Sequence, residues 1–428
     1  MKTTVPRGTF DLLPDDALLW VWVEEKIRRV FRAYGYGEIR TPIFEHTELF
    51  QRGIGETTDI VEKEMYTMTD KGGRSITLRP EGTAPVVRAF IEHKLYAKSG
   101  TGACKLFYLG PMFRQERPQA GRFRQFHQFG VEILGEEGPM ADAEVITLAV
   151  DLYKELGLCD LEVHLNSLGC PECRGKYRQA LLEYLSADNS GLCESCQRRL
   201  ERNPLRLLDC KNPKCKELTR EIPSIQDYIC PECRAHFSKV CHYLDEVGVE
   251  YQIDPRLVRG FDYYTKTVFE IINQDLGAQS AICGGGRYDG LVEECGGPPT
   301  SGVGFASGLE RLLTTLEQKG SLPALSMAPQ VYLIMLNEEY STAGYGLAAA
   351  LRRQGIQTIV SFKVKSLKSQ MKTADKIGAA YTLIIGEEEW QNKKVTIRKM
   401  FDSTQYQVEW DQVPQVLSQE LAEERRRF

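Results

Sequence analysis

The sequence lacks a long apolar run and lacks an excess of positive charge. No apolar stretch approaches the roughly 20 residues that a membrane-spanning helix needs, which argues against contact with a bilayer. The N-terminal segment MKTTVPRGTFDLLPDD has no apolar signal-peptide core, so we expect a cytoplasmic protein. The formal net charge of -5 argues against a generally basic nucleic-acid binder. Any contact with nucleic acid must come from local basic patches.

The chain has 428 residues, of which 42% are hydrophobic and 26% are charged, so it is long enough for two or three globular domains. Short strand-like runs before Gly169 resume at Tyr251, and strands alternate with helices after Pro329. We therefore predict three domains. They are a strand-rich core formed by 1–169 and 249–322, a helical insertion at 170–248, and a C-terminal α/β domain with a mixed sheet at 327–428.

Cysteine is unevenly distributed, because eight of the 13 cysteines form four close pairs within the predicted insertion. Without a secretory signal, such pairs indicate thiols or metal rather than disulfides. The first two pairs, and likewise the last two, have a spacing that fits a tetrahedral four-cysteine zinc site. The sequence predicts one or two structural zinc ions, with eight reduced thiols as the alternative, and leaves the grouping of the pairs open. The predicted ligands are Cys170, Cys173, Cys193, Cys196, Cys210, Cys215, Cys230 and Cys233.

The stretch LVRGFDYYTKTVFE, Leu257 to Glu270, combines core-forming residues with Arg259, Tyr263 and Tyr264. A buried strand gains nothing from so many polar groups unless they bind something. The nearby GGGRYDGL contains three glycines that let the backbone approach a ligand closely. The two segments predict a pocket for a polar small molecule with an arginine at its centre.

Two further segments carry arginines that suit phosphate. Between strand-like runs in Phe107 to Gly135 lies a polar loop whose arginines have the planar fork that fits phosphate oxygens. In GVGFASGLERLL, Arg311 lies in the first turns of a helix, where backbone N–H groups favour an anion. The alternatives are a solvated hairpin with incidental charge and an ordinary surface salt bridge.

Together with RPEGTA, Arg79 to Ala84, these segments resemble the three signature motifs of class II aminoacyl-tRNA synthetases. LVRGFDYYT and GGGRYDGL resemble the histidine-binding signatures of the histidyl-tRNA synthetase family. The resemblance also covers VPRGTFDLLP, GYGEIRTPIFE and KSLKSQMKTADKIGA, and so nearly the whole chain. It implies a catalytic domain built on an antiparallel sheet flanked by helices, a C-terminal anticodon-binding domain, and a homodimer with Gly35 to Glu45 at the interface. The cysteine-rich insertion departs from the family, whose insertion folds without metal in many members.

The resemblance implies activation of L-histidine by ATP with Mg²⁺, followed by transfer to the 3′ end of tRNA(His). Arg259 and Arg114 would be catalytic cations, which stabilise charge without a side-chain nucleophile. The residues implied for ATP are Arg114, Glu116 and Arg311. Those implied for histidine are Glu81, Thr83, Arg114, Gln128, Glu132, Arg259, Tyr263, Tyr264 and Tyr288; for Glu81 and Glu132 a strand-end salt bridge is the alternative.

Contacts with tRNA are implied at both ends of the chain. The hairpin loop would meet the acceptor end through Arg117, Gln119 and Arg122. In the C-terminal domain Lys365, Lys368, Lys372 and Lys376 recur at helical spacing. Such a stripe is usually a solvated face, and the resemblance makes it a contact with the anticodon stem.

Two other functions remain open at this point. A synthetase-like regulatory subunit of ATP-phosphoribosyltransferase would bind histidine without charging tRNA, but the presence of Arg259 and of a domain after Pro329 argues against it. A non-catalytic, zinc-stabilised RNA-binding protein would account for the cysteines and lysines, but would leave LVRGFDYYT and Arg311 without a purpose. Histidine-dependent exchange between ATP and pyrophosphate separates all three.

Overall fold

The strand-like runs on both sides of the cysteine segment join in one sheet. The computed structural model describes residues 3–55, 58, 60–97, 102–118, 121–186, 191–275 and 281–427. It has two units, Met1–Pro323 and Ala324–Phe428. Among the described residues, no helix is long and apolar enough to cross a membrane.

The described strands of the first unit are Gly37–Glu38 (β1), Phe44–His46 (β2), Tyr66–Thr69 (β3), Ser75–Leu78 (β4), Cys104–Phe113 (β5), Gln125–Leu134 (β6), Glu162–Ser167 (β7), Gln252–Ile253 (β8), Thr265–Ile272 (β9), Ala281–Arg287 (β10) and Gly302–Gly308 (β11). The helices are Pro14–Ala33 (α1), Thr47–Ile54 (α2), Thr83–Glu92 (α3), Pro139–Glu155 (α4), Pro171–Ser186 (α5), Glu194–Arg202 (α6), Pro213–Leu218 (α7), Pro231–Glu246 (α8), Leu291–Glu294 (α9) and Leu309–Gln318 (α10).

The main sheet has eight strands in the order β1-β5-β6-β11-β10-β9-β7-β8. Its neighbours run antiparallel except for the short edge strands β1 and β8, which are parallel to β5 and β7. A separate antiparallel sheet has the order β2-β4-β3. The antiparallel core predicted from the resemblance is therefore present.

Alternation along β6 separates the core from the site. Phe129, Val131 and Ile133 are buried in an apolar cluster with residues of α1 and α4. Because successive side chains of a strand point to opposite faces, Gln128 and Glu132 lie on the other face of the sheet. That face carries the cavity described below.

The insertion is helical, as predicted: its described residues between 170 and 248 contain α5 to α8 and no strand. Part of its apolar surface joins the two large clusters of the core, through residues such as Phe237 and Tyr177. Two further clusters are small, and cysteines make up half or more of their buried residues. A metal would add stability to these cysteine-containing parts of the insertion.

The second unit confirms the predicted mixed sheet. Its strands are Val331–Met335 (β12), Thr358–Val360 (β13), Tyr381–Ile385 (β14), Lys394–Lys399 (β15) and Gln405–Glu409 (β16). Its helices are Ser341–Arg353 (α11), Leu367–Lys376 (α12), Glu387–Gln391 (α13) and Val413–Arg427 (α14). The order is β13-β12-β14-β15-β16, with the first three strands parallel and the last two antiparallel.

One local prediction was wrong. The stretch from Leu257 was interpreted as a buried strand, but the strand begins only at Thr265 and the residues before it form an irregular loop with a turn. Gly260 and Asp262 are typical turn residues, which explains why the ladder does not extend through them. We call Leu257 to Tyr264 the arginine loop.

Candidate active site

A cavity of about 460 Å³ lies on the face of the main sheet that carries Gln128 and Glu132. Every residue implied for histidine or ATP lines it, although these residues come from five separate segments of the chain. They are Glu81, Thr83, Arg114, Glu116, Gln128, Glu132, Arg259, Tyr263, Tyr264, Tyr288 and Arg311. The sequence motifs therefore converge on one place in the fold.

Glu132 is the most deeply buried of the acids that line this cavity. The Thr83 hydroxyl donates a hydrogen bond to its Oε1 at 2.7 Å, and the Tyr288 hydroxyl donates to its Oε2. Burial raises the pKa of Glu132 to about 8, although both hydrogen bonds favour the ionised form. Gly304 lies opposite Glu132 in the paired strand β11, and a Cβ at Gly304 would collide with this carboxyl group. The hydrogen bonds replace the strand-end salt bridge that was the alternative for Glu132.

Glu81 has a structural role beside its place in the cavity. Its two carboxylate oxygens accept hydrogen bonds from the backbone N–H groups of Thr83 and Ala84, at 2.7 and 2.8 Å, at the start of α3. Burial raises the pKa of Glu81, and these amides oppose that shift. Among the described side chains, Gln128 has a buried Oε1 without a hydrogen-bond partner, so this oxygen is available to accept a bond from a ligand.

Arg259 forms an ion pair with Glu270 of β9 and lies with its guanidinium carbon 5.8 Å from the ring centre of Tyr264. Burial is the largest influence and disfavours the charge of Arg259, but the Glu270 carboxylate and neighbouring groups, including Tyr264, together raise its pKa. The guanidinium lies against Gly284, where a Cβ would overlap it. Glycine in GGGRYDGL thus makes room for the arginine predicted at the centre of the pocket.

Arg114 and Arg311 are two further arginines of the cavity wall. The Nε of Arg114 donates to the carbonyl oxygen of Pro80 at 2.9 Å, and Arg311 donates to the carbonyl oxygen of Ala281 at 2.7 Å. Burial lowers the pKa of both side chains. Arg122 reaches the same wall and pairs with Glu116 at 2.8 Å. Converging guanidinium groups of this kind suit a polyphosphate.

The remaining predicted nucleic-acid residues lie elsewhere. Arg117 is exposed and is not part of the cavity wall. Arg122 does line the cavity. Gln119 lies outside the described residues. Lys365, Lys368 and Lys372 are exposed in the second unit, where Lys365 precedes α12 rather than lying on it.

Sequence reasoning missed five charged residues of the cavity wall, among them Glu64 and Glu310. Glu270 ends the LVRGFDYYTKTVFE stretch and could have been suspected as the partner of a buried arginine. Arg206 and Asp209 come from the insertion, between Cys196 and Cys210. No local signal marks them, because their place in the cavity depends on how the insertion packs.

The eight paired cysteines form two nested centres. The outer centre joins Cys170 and Cys173 to Cys230 and Cys233, and the inner centre joins Cys193 and Cys196 to Cys210 and Cys215. Within each centre all four sulfurs lie within 4.8 Å of one another. The Sγ atoms of Cys170 and Cys173 are 3.5 Å apart, and those of Cys193 and Cys210 are 3.9 Å apart.

These distances fit the geometry of a tetrahedral metal site, which each centre could form. Zinc–sulfur bonds of about 2.3 Å in a tetrahedron place the sulfurs roughly 3.8 Å apart. Backbone N–H groups of Cys230 and Cys193 donate to the sulfurs of Cys173 and Cys215, at 3.0 and 3.2 Å. All eight cysteines are free of disulfide bonds. The grouping that the sequence left open is therefore first pair with last, and second pair with third.

The antiparallel sheet, with a cavity that gathers arginines from a hairpin, a loop and a helix, has the architecture of a class II aminoacyl-tRNA synthetase. The sequence model of the family described as histidyl-tRNA synthetase matches residues 8–312, and that of the anticodon binding domain matches residues 330–420. The chain belongs to the histidyl-tRNA synthetase family.

Relatives match along nearly their whole length. A histidine–tRNA ligase of Desulforamulus reducens is 56% identical over 408 residues, which is 95% of this chain and 97% of that relative. One of Halothermothrix orenii is 54% identical with the same coverage. The crystal structure of apo S. aureus histidyl-tRNA synthetase superposes with a TM-score of 0.84 at 38% identity, covering 97% of this chain and 100% of that one. A structure described as an ATP phosphoribosyltransferase regulatory subunit/histidyl-tRNA synthetase from Bacillus halodurans C has a TM-score of 0.63 at 22% identity, which indicates a shared fold alone.

Proposed function

We propose that the chain is a histidine–tRNA ligase, which activates L-histidine with ATP and transfers it to tRNA(His). The observation that supports this most is the hydrogen-bonded acid Glu132 in the same cavity as Arg259, Arg114 and Arg311. An acceptor for an imidazole N–H and several cations for a polyphosphate are the groups that this reaction requires. The names and identities of the relatives support the same activity.

In the proposed complex, Glu132 and Tyr264 bracket the imidazole, with Tyr263 and Tyr288 beside it. Glu81, Thr83 and Gln128 hold the α-amino and carboxylate groups. An amino acid without ring nitrogens would not supply the ring N–H that Glu132 is proposed to accept. Discrimination by unpaired buried groups reaches roughly 10⁴-fold, so accuracy requires no separate editing domain.

Arg114, Glu116 and Arg311 would hold ATP, and Mg²⁺ bound with it would supply further positive charge to the polyphosphate. A histidine carboxylate oxygen forms a bond to the α-phosphorus while the bond to pyrophosphate breaks. Arg259 would stabilise the charge that develops on the α-phosphate, as a cation placed in advance. A ribose hydroxyl at the 3′ end of tRNA then attacks the histidyl carbonyl carbon, and AMP leaves.

For tRNA, we infer that the acceptor end contacts Arg117, Gln119 and Arg122 and that the anticodon stem contacts Lys365, Lys368 and Lys372. We propose three domains with these functions: a catalytic core at 1–169 and 249–322, an insertion at 170–248 and an anticodon-binding domain at 327–428. We also infer a cytoplasmic homodimer. Exposed apolar residues in Gly35 to Glu45 and in the sheet β2-β4-β3 support a partner surface there: Ile43 is 44% exposed, Phe44 56% and Met68 45%.

We infer two structural zinc ions in the insertion, one in each cysteine centre. The sulfur distances, the amide donors and the small apolar clusters around the cysteines support this. Metal analysis of protein purified without chelators should give about two zinc ions per chain, because eight thiolates in two centres supply two tetrahedral sites. A content below about 0.5 per chain would overturn the inference.

Exchange of labelled pyrophosphate into ATP, run with each of the twenty amino acids, tests the function. Histidine alone should support exchange. Arg259→Ala should reduce the rate by at least about 10²-fold, because one pre-placed charge contributes that much to a transition state. Arg259→Lys keeps a charge but loses the planar fork and should fall between the two. Exchange without dependence on histidine would refute the proposal.

A further inference from the structure

The arginine loop depends on the insertion for its hydrogen bonds. This loop carries Arg259, Tyr263 and Tyr264 into the cavity, but it has no regular secondary structure. Backbone carbonyl groups outside a helix or sheet still require donors when they are shielded from water. At the start of the loop, Asn166 of β7 donates to the carbonyl oxygen of Leu257 at 3.0 Å.

Beyond that point the donors come from two arginines of the insertion. Arg206 donates to the carbonyl oxygen of Gly260 at 2.9 Å. Arg174 donates to the carbonyl oxygens of Asp262 and Tyr264, at 3.2 and 3.1 Å. The side-chain amide of Asn203 also donates to Oδ1 of Asp262, at 2.5 Å. The three insertion residues therefore hold the loop on both sides of Tyr263.

Each arginine lies within four residues of a cysteine of one centre. Arg174 follows Cys173 in the first turn of α5, and its backbone N–H donates to the carbonyl oxygen of Cys170 at 3.0 Å. Arg206 lies between the inner cysteines, and the next residue, Leu207, is buried in a cluster with Cys196, Cys210 and Cys215. A change in either centre would therefore move an arginine that touches the loop.

We propose that Arg174 and Arg206 are positioning residues for histidine, and that metal at the two cysteine centres fixes them against the arginine loop. This inference rests on the proposed function and deepens it. Histidine affinity depends on metal occupancy because the metal fixes the positions of the Arg174 and Arg206 side chains. These two donors in turn fix the positions of Arg259 and Tyr264. ATP, held by Arg114 and Arg311 from other elements, is affected less.

The first test compares variants that leave the cysteines intact. Arg206→Ala and Arg174→Ala should each raise the KM for histidine about tenfold, since a charged donor is lost from the loop, with the KM for ATP within about twofold. Arg206→Lys, which keeps one donor, should recover part of the loss. Arg220→Ala is the matched control, because Arg220 belongs to the same insertion but pairs only at its surface, with a side chain that is 70% exposed. Zinc content should stay unchanged in all four.

The second test removes the metal from the full chain. Histidine affinity is measured by calorimetry for untreated protein, chelator-treated protein and the variant Cys193→Ser/Cys210→Ser, with circular dichroism to follow the fold. Loss of metal should weaken histidine binding at least as much as Arg206→Ala does. The arginine substitution should then have little further effect in the metal-free protein, because the two act through one contact.

The outcomes distinguish a failure of the proposed function from a failure of the positioning role of the two arginines. If the unmodified protein shows no histidine-dependent exchange, the proposed function itself fails. If exchange is normal but both arginine variants leave the KM for histidine within about twofold of the unmodified value, only the positioning role is refuted. If the metal-free protein unfolds, the arginine variants, which retain metal, decide the question. Equal increases in the KM for histidine and for ATP would also refute it.

Discussion

The hydroxyl of Tyr288, the residue that follows β10, donates a hydrogen bond to Glu132 near the C-terminal end of β6. Both side chains are buried, and Thr83 occupies the other carboxyl oxygen. Two donors would normally favour the ionised form of an acid, but burial outweighs them and raises the pKa of Glu132 to about 8. The site therefore contains an acid that changes charge near neutral pH.

This relationship predicts a pH dependence of stability. In the folded protein the pKa of Glu132 lies near 8, against an ordinary value of 4.5, so the folded state binds the proton more tightly than the unfolded chain does. The contribution is fully present below about pH 4.5 and is lost as pH rises to about 8. Between pH 5 and pH 8 this group alone should lower the free energy of unfolding by about 3 kcal/mol.

Urea denaturation of Glu132→Gln across the same pH range isolates this group. The variant keeps the size of the side chain but carries no titratable proton, so its stability should fall less between pH 5 and pH 8 than that of the unmodified protein. The measurement is made without histidine, which would bind the folded state and shift the pKa. Parallel profiles for the two proteins would contradict the raised pKa.

The sequence was sufficient to predict which residues of the recognisable motifs line one cavity. In each motif the sequence places an arginine next to apolar, core-forming residues; these are Arg259, Arg114 and Arg311. A buried charge needs a ligand or a partner. Glu270 lies in the same stretch and could have been suspected, but it was missed because its pairing with Arg259 depends on the path of the arginine loop. Arg206 and Asp209 could not be found, since nothing in their local sequence records the packing of the insertion.

The same distinction holds for the fold. The strands after Pro329 were predicted well because hydrophobic periodicity and chain order fix a βαβ unit locally. The nesting of the cysteine pairs was not readable, since spacing allows neighbouring pairs to share a metal as easily as distant ones. The arginine loop was mistaken for a strand because its apolar residues are β-formers, whereas its hydrogen bonds come from Arg174 and Arg206, far along the chain.

A buried ion pair predicts a large loss of stability on substitution. Arg287 and Asp142 have fully buried side chains and form a two-point contact, and Arg287 also pairs with Asp289 at 3.2 Å. Burial opposes ionisation of Asp142, but a hydrogen bond from His236 and the charge of Arg287 lower its pKa. Arg287→Met would leave a buried carboxylate without its main partner and should cost about 3–5 kcal/mol at pH 7.

The double variant Arg287→Met/Asp142→Asn should recover part of that loss, because the stranded charge is removed with its partner. Guanidinium denaturation of the two variants, with the exposed Arg220→Ala as a control expected within about 0.5 kcal/mol, measures the difference. A loss below about 1 kcal/mol for Arg287→Met alone would show that water or another side chain compensates Asp142.

The basic residues of the second unit should act on tRNA affinity and not on amino-acid activation. Lys368 and Lys372 are exposed on α12, one helical turn apart, and Lys365 is exposed just before it. If they neutralise phosphates, each substitution to alanine should weaken tRNA(His) binding and reduce the slope of log affinity against log salt by about 1.

Filter binding between about 50 and 200 mM salt measures this slope. Arg353→Ala on α11 is the control for the loss of one exposed charge. Histidine-dependent exchange should be unchanged in all of them. A lysine variant that weakens binding equally at every salt concentration would indicate a lost structural contact instead of a lost phosphate contact.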